Sequence, residues 1–228
     1  SDYFVLRASL AHASGEFAVT FLPDEAQAGL DSNGRLTDAA VAFDIAERVQ
    51  GTAGLITEAT RETKTKAAPL PHSLSSLQKE ASAKFSISAK QVLDTAQSLY
   101  EKKLTTYPRS DCRYLPEEQF EAAGSILASL AGIPGIGKAA GGADPTLKSP
   151  AWNTQKVTAH HAIIPTGEKT AVNLTENERA LFGLIVSAYC LQFYPPMRYE
   201  ARKIGVTLGD TRWEARGRHI LDAGWTAV

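Results

Sequence analysis

Leu104-Thr105-Thr106-Tyr107-Pro108-Arg109-Ser110-Asp111 sets a phenol two residues from a guanidinium. Pro108 resists continuation of the helical pattern before it, so Tyr107 is expected on a turn after a helix. A tyrosine oxygen is a capable nucleophile toward phosphorus, and a nearby guanidinium can hold the phosphate under attack. Arginine keeps its proton, so Arg109 can stabilise charge that builds in the transition state but cannot be the base. For Tyr107 taken alone, the other reading is a tyrosine that anchors a helix end with its hydroxyl in water.

Working outward, Ser88 with Gln91 forms a capping box. Val92, Leu93, Ala96, Leu99 and Tyr100 then make the apolar stripe of the helix that leads to the octapeptide. Before it, Ala67-Ala68-Pro69-Leu70-Pro71 breaks the pattern, and Ser73 caps a helix through Leu74, Leu77 and Ala81. After it, Pro116 stands at a first helical position followed by Glu117 and Glu118, which predicts a helix to about Leu130. Residues 132–150 are rich in Gly and Pro and read as a long loop. Thr175 with Glu178 is another capping box. It opens an apolar helix through Leu181, Leu184, Ile185, Ala188 and Phe193 that stops at Pro195-Pro196.

The flanks of this helical block read as β. Residues 3–11 are rich in β-formers, residues 16–22 alternate with Phe17, Val19 and Phe21 on one face, and residues 55–60 form a further strand. Asp31-Ser32-Asn33-Gly34 is a turn signal. Thr37 is expected to cap a helix over residues 38–49 whose apolar positions are Ala39, Ala42, Phe43, Ala46 and Val49. From about Tyr199 the chain returns to β: Ile204, Val206 and Leu208 alternate, Gly209-Asp210 turns, and Trp213 and Ala215 alternate again. The expected fold is α+β. A discontinuous β-rich domain covers residues 1–69 and 198–228, and a mainly helical domain, residues 70–197, is inserted in it. No internal repeat is visible.

Composition bounds the rest. With 228 residues the chain can bury one full core or two modest ones. Its 43% hydrophobic and 21% charged residues are usual for a globular protein. No apolar run approaches the roughly 18 residues of a membrane span, and the N-terminus carries no signal-peptide pattern. The sequence does not begin with Met and its first residues already read as a strand, so an excised piece of a longer protein is expected. A net charge of −1 argues against a strongly basic nucleic-acid binder, but the charge is uneven. Residues 61–113 carry ten Lys/Arg against five Asp/Glu, and the remainder carries fourteen against twenty. The Tyr107 segment is therefore the basic one, as a phosphate-binding region needs, although solvated helices often show as much. Cys112 and Cys190 lack CxxC spacing and a matching histidine set for zinc, and read as free thiols.

A second constellation is Ala159-His160-His161-Ala162-Ile163-Ile164-Pro165-Thr166. No third ligand follows the histidine pair at metal spacing, so a structural or capping role is one reading. Beside a Tyr–Arg phosphate site, a phosphate donor or proton carrier is the other. Gly132-Ile133-Pro134-Gly135-Ile136-Gly137-Lys138-Ala139 nearly spells a P-loop but lacks the Ser/Thr that would hold Mg²⁺ and follows a helix instead of a strand. It reads as a flexible loop, a DNA-contacting hairpin or, least of all, a nucleotide site.

Four ordered motifs together resemble the type IA DNA topoisomerases. They are residues 70–78 (Leu-Pro-His-Ser-Leu-Ser-Ser-Leu-Gln), residues 88–101, the tyrosine octapeptide, and the Ala-His-x-Ala-Ile-x-Pro-Thr pattern of residues 159–166. Gly217 and Gly224-Trp225 fit a late β segment of the same family. The His160-His161 pair and the Pro after Tyr107 are most similar to the topoisomerase III branch. The resemblance implies a β gate (hinge) domain and a helical, winged-helix-like domain carrying the active-site tyrosine. Tyr107 would attack single-stranded DNA, leaving a 5′-phosphotyrosine and a free 3′ hydroxyl. Arg109 would position the scissile phosphate and His160 would assist there. His161 is implied as a further DNA contact, with Gln78, Lys79, Ser88, Lys90 and Asp111 as candidate contacts to the strand; Asp111 can instead cap the next segment. Ser110 and Cys112 stand where the family usually has Thr and Ser.

One departure is larger. Full-length members begin with a Toprim domain that supplies an acidic Mg²⁺ site, and no Asp-x-Asp pair or Rossmann-like start occurs in this sequence. Mg²⁺ is thus expected in the full-length enzyme and no metal site here. The implied partners are single-stranded DNA and the missing domains of the same protein, with no membrane. The implied location is the bacterial cytoplasm, on nucleoid or plasmid DNA. A non-catalytic single-stranded DNA-binding or structural module is the alternative.

Overall fold

The computed structural model describes residues 2–134, 137–168 and 173–228. They divide into two compact units, Ser1–Lys64 with Arg198–Leu221, and Thr65–Met197 with Asp222–Val228.

The first unit is built on a five-stranded sheet in the order β1-β2-β5-β4-β3. Its strands are β1 (Arg7–His12), β2 (Gly15–Phe21), β3 (Gly54–Lys66), β4 (Met197–Leu208) and β5 (Thr211–Asp222). β1 and β2 form an antiparallel hairpin that pairs Arg7 with Thr20 and His12 with Gly15. Gly15 at φ +130° turns the chain there. β2 continues antiparallel onto β5 through Thr20–Glu214 and Phe21–Trp213. The alternation anticipated in β2 is real: Val19 and Phe21 are buried with Val206, Leu208 and Trp213. Phe21 meets Trp213 edge-on at 5.5 Å, a preferred aromatic geometry.

Helix α1 (Ala39–Val49) covers this core through Ala42 and Ile45. Two expectations fail here. Asp38, not Thr37, caps the helix, because its carboxylate accepts from the Ala40 and Val41 N–H groups while Thr37 Oγ1 is turned to the Gly29 carbonyl. Phe43 is 70% exposed. The core-facing stripe runs through position 45, which places residue 43 about 200° away around the helix.

The second unit packs α2 (Leu74–Phe85), α3 (Ala89–Glu101), α4 (Ala123–Ala131), the short α5 (Lys138–Gly141) and α6 (Glu176–Cys190) around one core. The capping boxes at Ser88 and Thr175 form as anticipated, and Ser73 makes a third with Ser76. Leu77, Val92, Leu99, Leu181, Ile185 and Phe193 are fully buried. The helix expected from Pro116 begins instead as a 3₁₀ segment, Glu117–Ala122, with Pro116 extended (ψ 137°) at its cap, and becomes α-helical only at Ala123. Within the expected 132–150 loop lies α5, while Gly135 and Ile136 fall outside the described residues. Beyond β5 the chain makes a 3₁₀ turn, Gly224–Ala227, rather than more strand. Gly224 (φ +49°) has no room for a Cβ, which would sit 2.4 Å from the Pro195 carbonyl oxygen.

Candidate active site

Helix α3 ends at Glu101 and the chain leaves it through Lys103, in the left-handed region at φ +60°. The Leu104 N–H returns to the Leu99 carbonyl, closing the helix end. Tyr107 therefore stands on a turn beyond the helix end, with Pro108 buried behind it.

The octapeptide and the histidine motif, 48 residues further on, lie side by side and are stitched together. Thr106 N–H donates to the Ile164 carbonyl at 2.9 Å. Thr106 Oγ1 donates to the Ala162 carbonyl at 3.1 Å and accepts from Ile164 N–H at 3.0 Å. Thr166 N–H bonds the Leu104 carbonyl and its hydroxyl bonds the Lys103 carbonyl at 2.6 Å. Buried Ser110 donates to the His160 carbonyl at 3.3 Å, and its own carbonyl accepts from Leu74 N–H at the start of α2. Ile163 N–H is taken by the His72 carbonyl. Three of the four sequence motifs thus share one hydrogen-bond network.

The network presents Tyr107 between two rings. The His160 imidazole lies against it, centroids 4.4 Å apart, and Tyr100 meets it edge-on at 5.8 Å. Tyr107 is 36% exposed and Tyr100 41%, so the phenol is braced yet open to solvent. Arg109 is exposed two residues on and has no acid partner among the described residues. An unpaired guanidinium there is free to meet an anion. Asp111 accepts from Thr158 Oγ1 at 3.0 Å, tying the octapeptide to the segment before His160. The half-buried His161 turns its Nδ1 to the Ala162 carbonyl at 2.8 Å. That contact needs the proton on Nδ1 and leaves Nε2 for other partners.

The remaining candidates belong to the α2–α3 corner and each but one has a local partner. Gln78 donates to the Ala89 carbonyl, Ser88 caps α3, and Lys90 pairs with Asp94 at 2.7 Å. Lys79 is exposed on α2. Sequence reasoning missed Tyr100, which it placed in the apolar stripe of α3; the ring instead flanks Tyr107. It also missed Thr106 and Ser110 as the stitches of the site. The signal available was their spacing: two small hydroxylated residues on either side of the Tyr–Pro–Arg turn.

A buried polar link holds α3 to α6. Glu178 is 5% exposed and accepts from Lys102 Nζ at 2.5 Å and Ser98 Oγ at 2.6 Å, and from Thr175 N–H at its own helix start. Burial pushes its pKa up, but those hydrogen bonds and the Lys102 charge outweigh it and hold the carboxyl at about 2, below its ordinary 4.5. The link fixes the last turn of α3, five residues before Tyr107.

The family model described as DNA topoisomerase matches residues 1–228. The chain belongs to the DNA topoisomerase family. DNA topoisomerase 3 of Vibrio cholerae is 41% identical over 235 residues, covering all of this chain and 36% of that protein. The Salmonella typhimurium DNA topoisomerase 3 is 37% identical, again over the whole chain and 35% of the relative. Among solved structures, full-length topoisomerase I of Thermotoga maritima superposes with a TM-score of 0.62 at 20% identity, over 92% of this chain and 33% of that one. The chain thus spans about a third of the length of the relatives it matches. No helix among the described residues is long and apolar enough to cross a membrane.

The Mg²⁺ implied by the resemblance finds no fit here. Among the described residues there is no group of three His, Cys, Asp or Glu side chains that could hold a metal ion. Of the two histidines, His160 lies tilted against the Tyr107 ring and His161 makes a backbone contact.

Proposed function

We propose that Tyr107 is the nucleophile of a DNA strand cleavage and rejoining reaction, and that the chain is the central part of a type IA topoisomerase of the topoisomerase III kind. The observation that carries this reading is the Tyr107 ring, open to solvent and braced between His160 and Tyr100, with unpaired Arg109 on the same turn.

In this reading a single DNA strand crosses the turn. Arg109 holds a non-bridging oxygen of the scissile phosphate and offsets charge that builds there. The Tyr107 oxygen forms a bond to phosphorus as the bond to the 3′ oxygen breaks. The phenol loses its proton, the 3′ oxygen gains one, and the strand is left as a 5′-phosphotyrosine and a 3′ hydroxyl. His160, against the Tyr107 ring, is within reach of the same phosphate as a donor or proton carrier. His161, through its free Nε2, and Asp111 and Lys79 are further strand contacts, with Gln78, Ser88 and Lys90 at the outer α2–α3 corner. One phosphate ester replaces another, so rejoining needs no ATP. The expected β-rich domain, residues 1–69 and 198–228, would be the gate and the expected helical domain, residues 70–197, the part it moves, letting a second strand pass to relax or unlink DNA. Mg²⁺ would be held by Toprim residues outside this chain, and no step above runs through it. The site of action would be DNA in the bacterial cytoplasm.

The test is complementation. The chain mixed with a separate Toprim-bearing fragment should form a covalent adduct with a labelled single strand, linked through the 5′ phosphate, and Tyr107→Phe should abolish the adduct while leaving strand binding intact. An adduct that survives Tyr107→Phe refutes the assignment. The resemblance to full-length members, whose Toprim domain supplies the Mg²⁺ site, supports one further point: the 228 residues alone bind single strands without relaxing supercoiled DNA. Mg²⁺-dependent relaxation by the purified chain would overturn that.

A further inference from the structure

Away from Tyr107, the helical unit contains a cavity of about 470 Å³, within the range of small-ligand sites. None of Tyr107, Arg109, His160 or His161 lines it. One wall is apolar, made by Leu184, Ala188 and Leu191 near the C-terminal end of α6 and by Trp225. The indole is fixed in place: Nε1 donates to the Lys66 carbonyl at 2.9 Å, and the Lys66 ammonium lies 5.7 Å from the ring centroid. The lining also carries Lys84, Arg113 and Lys138 against one acidic side chain, Glu80, which Lys84 already pairs at 2.7 Å, and it includes the terminal Val228. Arg113 is held rigidly, its Nε and Nη2 donating to the Pro71 and Leu70 carbonyls. Lys138 has no acid partner among the described residues, and the side chains lining the cavity carry a net positive charge.

His72 also lines the cavity, 3% exposed, with Nδ1 3.1 Å from Ser76 Oγ. Its Nε2 is buried without a hydrogen-bond partner, 3.5 Å from the Glu80 carboxylate. Burial, with the charges of Arg113 and Lys84, holds this imidazole at about 4 despite the opposing pull of Glu80, so it is neutral at physiological pH. His72 therefore lines the cavity without adding a charge to it.

We propose that this cavity binds a nucleotide, with its phosphate drawn to Lys138 and Arg113 and its base laid against Trp225 and the leucine side chains. Phosphate alone would leave the apolar lining unused, and a neutral aromatic ring would leave the cations unused; a nucleotide uses both. The nucleotide can belong to a DNA strand or be free. Lys138 is the lysine of the near-P-loop run, so the residue that carried a failed motif has a phosphate role on different grounds.

The test is an NMR titration of the 228-residue chain with thymidine monophosphate, following the Trp225 indole N–H. Thymidine monophosphate should shift that resonance, and thymidine or inorganic phosphate should each bind about tenfold or more weakly, the loss of one class of contact. Lys138→Ala, at an exposed position, should weaken the nucleotide by about tenfold with the rest of the spectrum unchanged, and Lys138→Arg should restore it. Tyr107→Phe should have no effect, which separates this site from the proposed catalytic one. In the Tyr107→Phe chain, an oligothymidylate that moves the same resonance supports a strand as the source, and a response to the monophosphate alone supports a free nucleotide. The proposal is overturned if millimolar nucleotide leaves Trp225 unmoved, if phosphate binds as well as the nucleotide, if Lys138→Ala changes nothing, or if Tyr107→Phe abolishes the shift.

Discussion

Glu178→Gln isolates the charge that clamps the last turn of α3. The substitution keeps shape and one hydrogen-bonding oxygen but removes the partner of Lys102. Glu178 titrates at about 2 in the folded chain against 4.5 ordinarily. At about 1.4 kcal/mol per unit, the full shift sets an upper bound of roughly 3.4 kcal/mol. The Lys102 side chain is 39% exposed, so solvent screens part of its attraction and about 2 kcal/mol is the better expectation. Because the folded pKa is depressed, the contribution is complete above the unfolded value of 4.5 and is lost as pH falls from there toward 2. Urea unfolding of the two proteins, read by circular dichroism at a series of pH values, measures this. Glu178→Gln should be less stable by about 2 kcal/mol at pH 7, and the gap should shrink steadily below about pH 4.5. A gap that holds its size down to about pH 3, or a substituted chain as stable as the parent at pH 7, refutes the claim that an ionised, hydrogen-bonded Glu178 holds the helix end. The same variant should slow adduct formation in the complementation assay, since the turn carrying Tyr107 begins where Lys102 ends the helix.

Thr106→Val removes a donor to Ala162 and an acceptor for Ile164; a loss of about 1–3 kcal/mol in urea stability and a weaker adduct yield are expected, and unchanged stability would mean the two motifs are held by packing alone. Asp38→Ala should cost about 1 kcal/mol by thermal unfolding, and Thr37→Ala clearly less, because the aspartate carries the cap of α1; the reverse order would contradict the cap assignment. Tyr189 is fully buried and its hydroxyl has no partner among the described residues, so Tyr189→Phe should be neutral or stabilising by up to about 1 kcal/mol, and a marked loss of stability would reveal a hydrogen bond to that oxygen.

What could be read in the sequence divides along a physical line. Features that depend on a few neighbouring residues were legible: the capping boxes at Ser88 and Thr175, the alternation of β2, and the turn at Gly209-Asp210 each arise from contacts within one element or one turn. The α+β class followed from their order along the chain. Where the outcome rests on which of two adjacent groups reaches a partner, the pattern was ambiguous. Thr37 and Asp38 are both good caps, and only the approach of Gly29 assigns the hydroxyl elsewhere. Phe43 has the composition of a core residue but the angular position of a surface one. The near-P-loop run could be rejected as a motif because the local requirements fail, yet the surroundings of Lys138 come from α2, α6 and the turn at Trp225, far apart in sequence.

The Tyr107 site carries the same lesson in its chemistry. Tyr107 and Arg109 are neighbours in the chain, so their association was visible at once. The imidazole that lies on the phenol comes from 53 positions away, and it reaches the ring because the hydroxyls of Thr106, Ser110 and Thr166 donate to backbone carbonyls across the two segments. Those three hydroxyls touch no substrate in this reading. They set where His160 stands relative to Tyr107, and a displacement of an ångström there would separate the nucleophile from the group beside it. Small hydroxylated residues are therefore required at these positions for a reason distinct from that for the tyrosine. A Thr106 variant with the phenol intact should lose adduct yield while keeping strand binding, whereas removal of Arg109 should weaken both, because in this reading the guanidinium, unlike the Thr106 hydroxyl, meets the phosphate directly.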